Sequence, residues 1–297
     1  MAHSRRPRGL DARPVVRIEG PFIGAEAIDS GLLRKHQLRS QYSALFPGVY
    51  LSANLEPTFD QRAEAAWLWS RRNGVIGGLT AARLHGAKWV DDVAPVELIW
   101  SNGRPPPGIK VFKDRLGAAE HILRDGLTVT TVTRTAFDLG RRGRLGQAVA
   151  RIDALANATD VSTVAIAELA DSHRGSRGIR QLRSALALCD AGAQSPRETW
   201  LRLLVMRAGF PRPQTQIPVV VYGRRTYYLD MGWTELMLAV EYDGDHHRAD
   251  AVQFAKDITR LEELAAMGWT IIRVVAGTPP VEVVARVRRA WEASKAR

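Results

Sequence analysis

The stretch LMLAVEYDGDHHR, residues 236–248, ends an apolar run in a cluster of acids and histidines. Side chains alternate faces along a strand, so Glu241 and Asp243 share one face while Val240 and Tyr242 take the other. Upstream, YYLDMGW sets Asp230 inside a second apolar strand. If Asp230 projects to the same side, three carboxylates converge, and their repulsion raises a pKa unless a cation joins them. Carboxylate oxygens suit a hard divalent ion, Mg²⁺ or Mn²⁺, that keeps part of its water. Such an ion polarises a phosphodiester and supplies hydroxide near neutral pH.

These residues need a frame. In SPRETWLRLLVMRAGF, Ser195 at the N-cap, Pro196 at the first helical position and Glu198 three after the serine predict a helix start. Leu201, Leu204, Val205 and Ala208 give it an apolar stripe, and Gly209 stops it. Glu198 reads in two ways, as the back half of a capping box or as the head of that stripe facing inward to a site. Strands follow at QIPVVVY and TYYLDMGW, joined at Gly223-Arg224-Arg225, and then at LMLAVEY. A helix through Phe254, Ile258, Leu261 and Ala265 ends at Gly268, WTIIRVVA predicts a buried strand, and an Arg-rich helix finishes the chain.

Residues 195–276, through SPRE, YYLDMGW, LAVEYDGDHH and KDITRLEELAAMGWTIIRV, resemble the very-short-patch-repair-like (Vsr-like) branch of the PD-(D/E)XK restriction-endonuclease fold. The resemblance implies that Asp230 and Glu241 are metal-binding acids, that Glu198 is the acid of the first helix and that His247 stands near the scissile phosphate. Asp257 and Arg260 match the family's D-x-x-R, one helical turn apart, and would support the site; on their own they read as a structural helix pair. The general pattern has Lys two residues after the Glu, where this chain has Asp243. That leaves the charge-stabilising role open among Lys256, Arg248 and a histidine. The candidate catalytic set is Glu198, Asp230, Glu241, Asp243 and His247.

The N-terminal third reads differently. GAEAIDSGLL and RKHQLRSQY predict two short helices, and FPGVYLS a bend at Pro47-Gly48 followed by a strand, the order of a winged helix. Thr58 and Gln61 form a capping box for a longer helix containing Trp67 and Trp69, and a short helix over Leu79 to His85 closes the unit. Together with GLTAARLHG and the later TVTRTAFDL, this resembles the winged-helix start of AbiEi-type antitoxins and transcriptional regulators. The resemblance implies that Arg34, Lys35, Gln37 and Arg39 lie on or beside a recognition helix, the cations on phosphates and Gln37 at a base edge. Without it they are a solvated basic helix.

Between the two lie strands at PVELIWS and IKVFKDR, divided by NGRPPPG, one more strand over Val129 to Val132, and helices over 145–190 interrupted by SHRGSRG. The expected organisation is α/β (α+β): a basic arm over 1–19, a winged helix over 20–90, a mixed middle over 91–194, and a restriction-endonuclease-like domain with a central mixed sheet over 195–297.

The formal net charge of +11 makes nucleic acid the leading partner class. The single cysteine, Cys189, forms no intramolecular disulfide or thiolate cluster and fits packing in a reducing cytoplasm. No apolar run reaches the length of a membrane span, and the basic N-terminus lacks the apolar core of a secretory signal. Two functions are expected, with an RNA-directed or single-strand nuclease as a third that differs only in substrate. One is a Mg²⁺-dependent DNA endonuclease on the nucleoid. The other is a DNA-binding regulator or antitoxin, with a toxin as partner, whose nuclease-like domain is inactive, a reading that Asp243 keeps open.

Overall fold

The computed structural model describes residues 18–101, 103–223, 225–244 and 251–296. All but the last two residues of the expected basic arm lie outside them. Strand β1 (Phe22–Ile23) leads into helices α1 (Gly24–Asp29) and α2 (Lys35–Gln41), behind which β2 (Tyr42–Phe46) and β3 (Val49–Ser52) form a hairpin. The strands lie in the antiparallel order β1-β3-β2. Gly48 makes the Pro47-Gly48 bend possible by standing at φ 80°, where a side chain would be strained. Ala27, Leu33, Leu38 and Tyr42 close a small core under the two helices.

Helix α3 (Phe59–Trp69) starts at the expected capping box, with the Thr58 hydroxyl accepting from the Gln61 N–H and the Gln61 carbonyl accepting from the Thr58 N–H. Next come β4 (Val75–Ile76), missed in the sequence, and α4 (Gly78–Leu84). The sequence reading ended the first unit with this helix. In the fold, β4 sits centrally in a second sheet with β5 (Val96–Ile99), β6 (Ile109–Phe112), β7 (His121–Arg124) and β8 (Leu127–Thr130), in the order β6-β5-β4-β8-β7. Ile76 pairs with both Leu98 and Val129, so no structural break falls at residue 90. Ile23, Phe46 and Val49 share one apolar cluster with Ile76, Leu98 and Val129, bridged by the alanines of α3. Gly78 opens α4 at φ 54°, and a Cβ there would lie 1.8 Å from the Glu97 carboxylate that accepts the Leu79 N–H.

The strand expected through Val132 stops at Thr130. The Thr131 hydroxyl accepts the Arg134 N–H and so caps α5 (Val132–Arg141). The buried TRTAFDLGRR face of α5 is an ion network: Arg134 bonds Asp138 and Glu120, Arg141 bonds Asp138 and Asp114, and His173 reaches Glu120. Helices α6 (Leu145–Ala158), α7 (Thr163–Ser172) and α8 (Ile179–Leu188) pack with α5 around Phe137, Ile152, Leu155 and Leu182.

The last part runs α9 (Pro196–Arg207), β9 (Gln214–Val221), β10 (Arg225–Trp233), β11 (Leu238–Asp243), α10 (Ala251–Ala266), β12 (Thr270–Val275) and α11 (Pro280–Lys295), the order expected. Its sheet, β12-β11-β10-β9, is mixed: β11 and β12 are parallel, connected through α10, and the other pairs are antiparallel. Pro218 is tolerated because β9 is an edge. β12 is the other edge and only alternately buried, not the fully buried run expected, since α10 and α11 cover its faces but no strand covers its side. A buried pair fastens α9 to the helical layer: Arg202 donates to Asp153 at 2.7 Å, and the Thr199 hydroxyl donates to the same carboxylate at 2.8 Å. The fold class is α+β. Among the described residues no helix is long and apolar enough to cross a membrane.

Candidate active site

Helix α9 brings Glu198 to the third sheet. Ser195 caps the helix by accepting the Glu198 N–H at 3.1 Å, while the Glu198 carboxylate accepts the Gln194 N–H at 2.8 Å. Glu198 is thus part of the helix start, and it is also 9% exposed and turned inward. Its carboxylate bonds the Gln194 N–H and not the Ser195 N–H that a capping box requires, so the first reading holds only in its serine half.

Strands β10 and β11 supply the next two acids. The register that pairs Met231 with Val240 sets Asp230 across from Glu241. Asp230 accepts the Tyr242 N–H at 2.9 Å. Val240 and Tyr242 enter the apolar cluster beneath α9 and α11, whereas Ala239, two before Glu241, enters the cluster beneath α10. The expected alternation along β11 is therefore present, and Glu241 faces α10. There Arg260 donates to both Glu241 oxygens, one bond at 3.0 Å, and also to the Tyr228 carbonyl. The sequence offered Asp257 and Arg260 as a pair; the contact that matters structurally joins Arg260 to Glu241, while Asp257 adds to the negative field around Arg260.

The three acids act on one another. Burial pushes the Asp230 carboxyl up to about 7, the charges of Glu198 and Glu241 push in the same direction, and the Tyr242 N–H and Arg260 oppose them. Burial likewise raises Glu198, outweighing the bond from Gln194. The main cause is burial, and the charge of neighbouring acids adds to it at Asp230 alone. Asp243, at the end of β11, accepts from Arg273 of β12 at 2.6 Å and so is paired with a cation instead of joining the acids. Arg273 was missed, although its signal was available: it interrupts an apolar strand, as Asp230 and Glu241 do, and the β11–β12 register sets it beside Glu241.

Among the described residues no group of three or more His, Cys, Asp or Glu side chains forms a ready metal cage. The donor set nevertheless suits a hydrated hard ion, which needs only one or two carboxylates. Glu198 Oε1 and Asp230 Oδ1 carry no hydrogen bond among the described residues, and the raised Asp230 marks an excess of negative charge. His246, His247 and Arg248 lie outside the described residues. Lys256 is exposed on α10.

Near the N-terminus, Arg34, Lys35 and Arg39 are exposed on and beside α2, while Leu38 turns into the core. Gln37 is different from expectation. Its Oε1 accepts the Arg34 N–H at 2.8 Å and caps its own helix, which leaves only its amide N–H₂ for a base edge.

No known family profile and no solved structure matches the chain. Two uncharacterized proteins of Mycobacterium tuberculosis, MT2308 of strain CDC 1551 and Rv2248 of strain H37Rv, are each 30% identical to it over 247 residues, 82% of this chain and 89% of the relative. The chain belongs to the same family as these two mycobacterial proteins.

Proposed function

We propose that this protein is a DNA-binding, divalent-metal-dependent endonuclease that hydrolyses phosphodiester bonds. The observation that carries the reading is the gathering of the buried acids Glu198 and Glu241 with Asp230, which accepts the Tyr242 N–H, at one end of the third sheet in a chain of net charge +11. A basic protein gathers a polyanion, and a buried acidic cluster within it is suited to holding a cation against that polyanion. Asp230 and Glu241 would hold Mg²⁺ or Mn²⁺, with Glu198 beside them. The ion, when bound, would polarise the phosphodiester and lower the pKa of a bound water. Arg260 orients Glu241 by donating to both its oxygens. If it released one of them to the ion, its guanidinium would be the cation nearest the acids, able to take the charge-stabilising role that Asp243 cannot. Arg34, Lys35 and Arg39 would hold duplex phosphates on the winged helix, which would place the protein on the nucleoid.

A second reading, a regulator or antitoxin whose nuclease-like domain is inactive, is favoured by the same arginines. Arg260 on Glu241 and Arg273 on Asp243 already neutralise two of the acids without a metal. Calorimetric titration with Mn²⁺ separates the two. The nuclease predicts a binding isotherm that Asp230→Ala and Glu241→Ala abolish, and the regulator predicts no heat above dilution in any of the three proteins.

A further inference from the structure

On the far side of α9 from Glu198, two adjoining hollows of about 270 and 570 Å³ run between the loop after α4, helix α6 and helix α9. They share Gln147, Ala150 and Pro196, so they form one groove. Its rim carries Lys88, Arg144, Arg151 and Arg207, and Asp91 is the acid set against them. None of the four cations enters an ion pair among the described residues. The rim also holds two indoles. Trp89 is 62% exposed and stands at φ 65°, a conformation that a bulky residue adopts only under constraint from its surroundings. The constraint is visible: the Trp89 Nε1–H donates to the Gln194 carbonyl at 2.9 Å, and the N–H of the same Gln194 donates to Glu198. Trp200 lines the other hollow and meets Tyr242, the neighbour of Glu241, edge to face at 6.5 Å.

We infer that this groove binds a single strand of nucleic acid, its bases stacked on Trp89 and Trp200 and its phosphates on Lys88, Arg144, Arg151 and Arg207. An exposed indole at Trp89, a half-buried one at Trp200 and cations without ion pairs among the described residues are what a flexible strand requires, since every base has a face to stack and every phosphate a charge to neutralise. A duplex is too wide to enter hollows of this size. An acidic or apolar peptide would use the cations or the indoles but not both along one line. The groove deepens the proposed function by holding a strand on an element tied to the acids: Trp89 is linked through Gln194 to Glu198, and Trp200 packs on Tyr242, whose N–H bonds Asp230.

The inference takes a nucleic-acid substrate from the proposed function, and its test is arranged so that the two fail separately. The full chain carrying Glu241→Ala, in EDTA, is titrated with a fluorescent 12-nucleotide oligothymidine and with a duplex of equal length across a salt series. Trp89→Ala is expected to weaken single-strand binding about 5- to 100-fold. Arg151→Gln is expected to lower the salt slope by about 0.7. Arg34→Ala should affect the duplex alone. Trp89→Tyr and Arg151→Lys should restore most of the loss, which separates contact from misfolding. Absence of oligothymidine binding at low salt, or binding that ignores Trp89 and Arg151, overturns the groove. Groove-dependent binding by a wild-type protein that cleaves nothing with Mg²⁺ leaves the groove standing and removes the nuclease.

Discussion

Replacing Asp230 by Asn should stabilise the folded protein at high pH and not at low pH. The carboxyl has an ordinary pKa of 3.8 and is pushed up to about 7 in the fold. Between those values the native state holds a proton that the unfolded chain releases, so stability falls as pH rises through this window and stays low above it. The full interval corresponds to about 4 kcal/mol at ~1.36 kcal/mol per tenfold. Solvent reaching the half-buried carboxylate reduces this to roughly 1–3 kcal/mol. Asn keeps an oxygen for the Tyr242 N–H, so the hydrogen bond survives the change. In metal-free urea unfolding the variant should exceed wild type by that amount at pH 8, and the advantage should shrink to about a quarter at pH 4.5. Excess Mg²⁺ at pH 8 should stabilise wild type and leave the variant unmoved, because only a protein that binds the ion gains from it. A variant less stable than wild type at pH 8, or an equal difference at both pH values, would show that burial beside the other acids does not raise the Asp230 carboxyl as described.

Three further outcomes follow from the same geometry. Asp153→Ala should cost about 3–5 kcal/mol in chemical denaturation, because it leaves the fully buried Arg202 guanidinium without its counter-charge. Burial pushes the Cys189 thiol up to about 11, so at pH 8 iodoacetamide should alkylate the folded chain about 100-fold more slowly than the chain in urea. Arg34→Ala with Lys35→Ala should weaken duplex binding and reduce the slope of log affinity against log salt by about 1.8, measured by fluorescence anisotropy.

The C-terminal fold was the most legible part of the sequence because its signals are local. Ser195, Pro196 and Glu198 mark a helix start that the structure places at Pro196, and the apolar strands carrying Asp230 and Glu241 appear where alternation predicts them. What escaped was set by partners distant in the chain. β4 is two residues long and exists because β5 and β8 flank it, so no window around Val75 could reveal it. The single unit formed by the first two sheets follows from α3 alanines serving both, and an alanine run does not announce which surfaces it will bridge. At the site, the acids were readable by type and spacing. Their counter-charges were less so: Arg260 lies 19 residues from Glu241 and Arg273 lies 30 from Asp243, separations fixed only when α10 carries the chain across to the parallel strand β12. Gln37 shows the reverse case. Its type suggested a base contact, and its position three residues after the N-cap Arg34 also makes its side-chain oxygen a cap.

Cleavage of supercoiled, linear and single-stranded DNA by the purified full chain, with Mg²⁺, Mn²⁺ or EDTA and beside Glu241→Ala, tests the central proposal most directly. Metal-dependent nicking that vanishes in EDTA and in the variant is the predicted result. Tight DNA binding with no cleavage under either metal would contradict it and leave the winged-helix regulator as the better account.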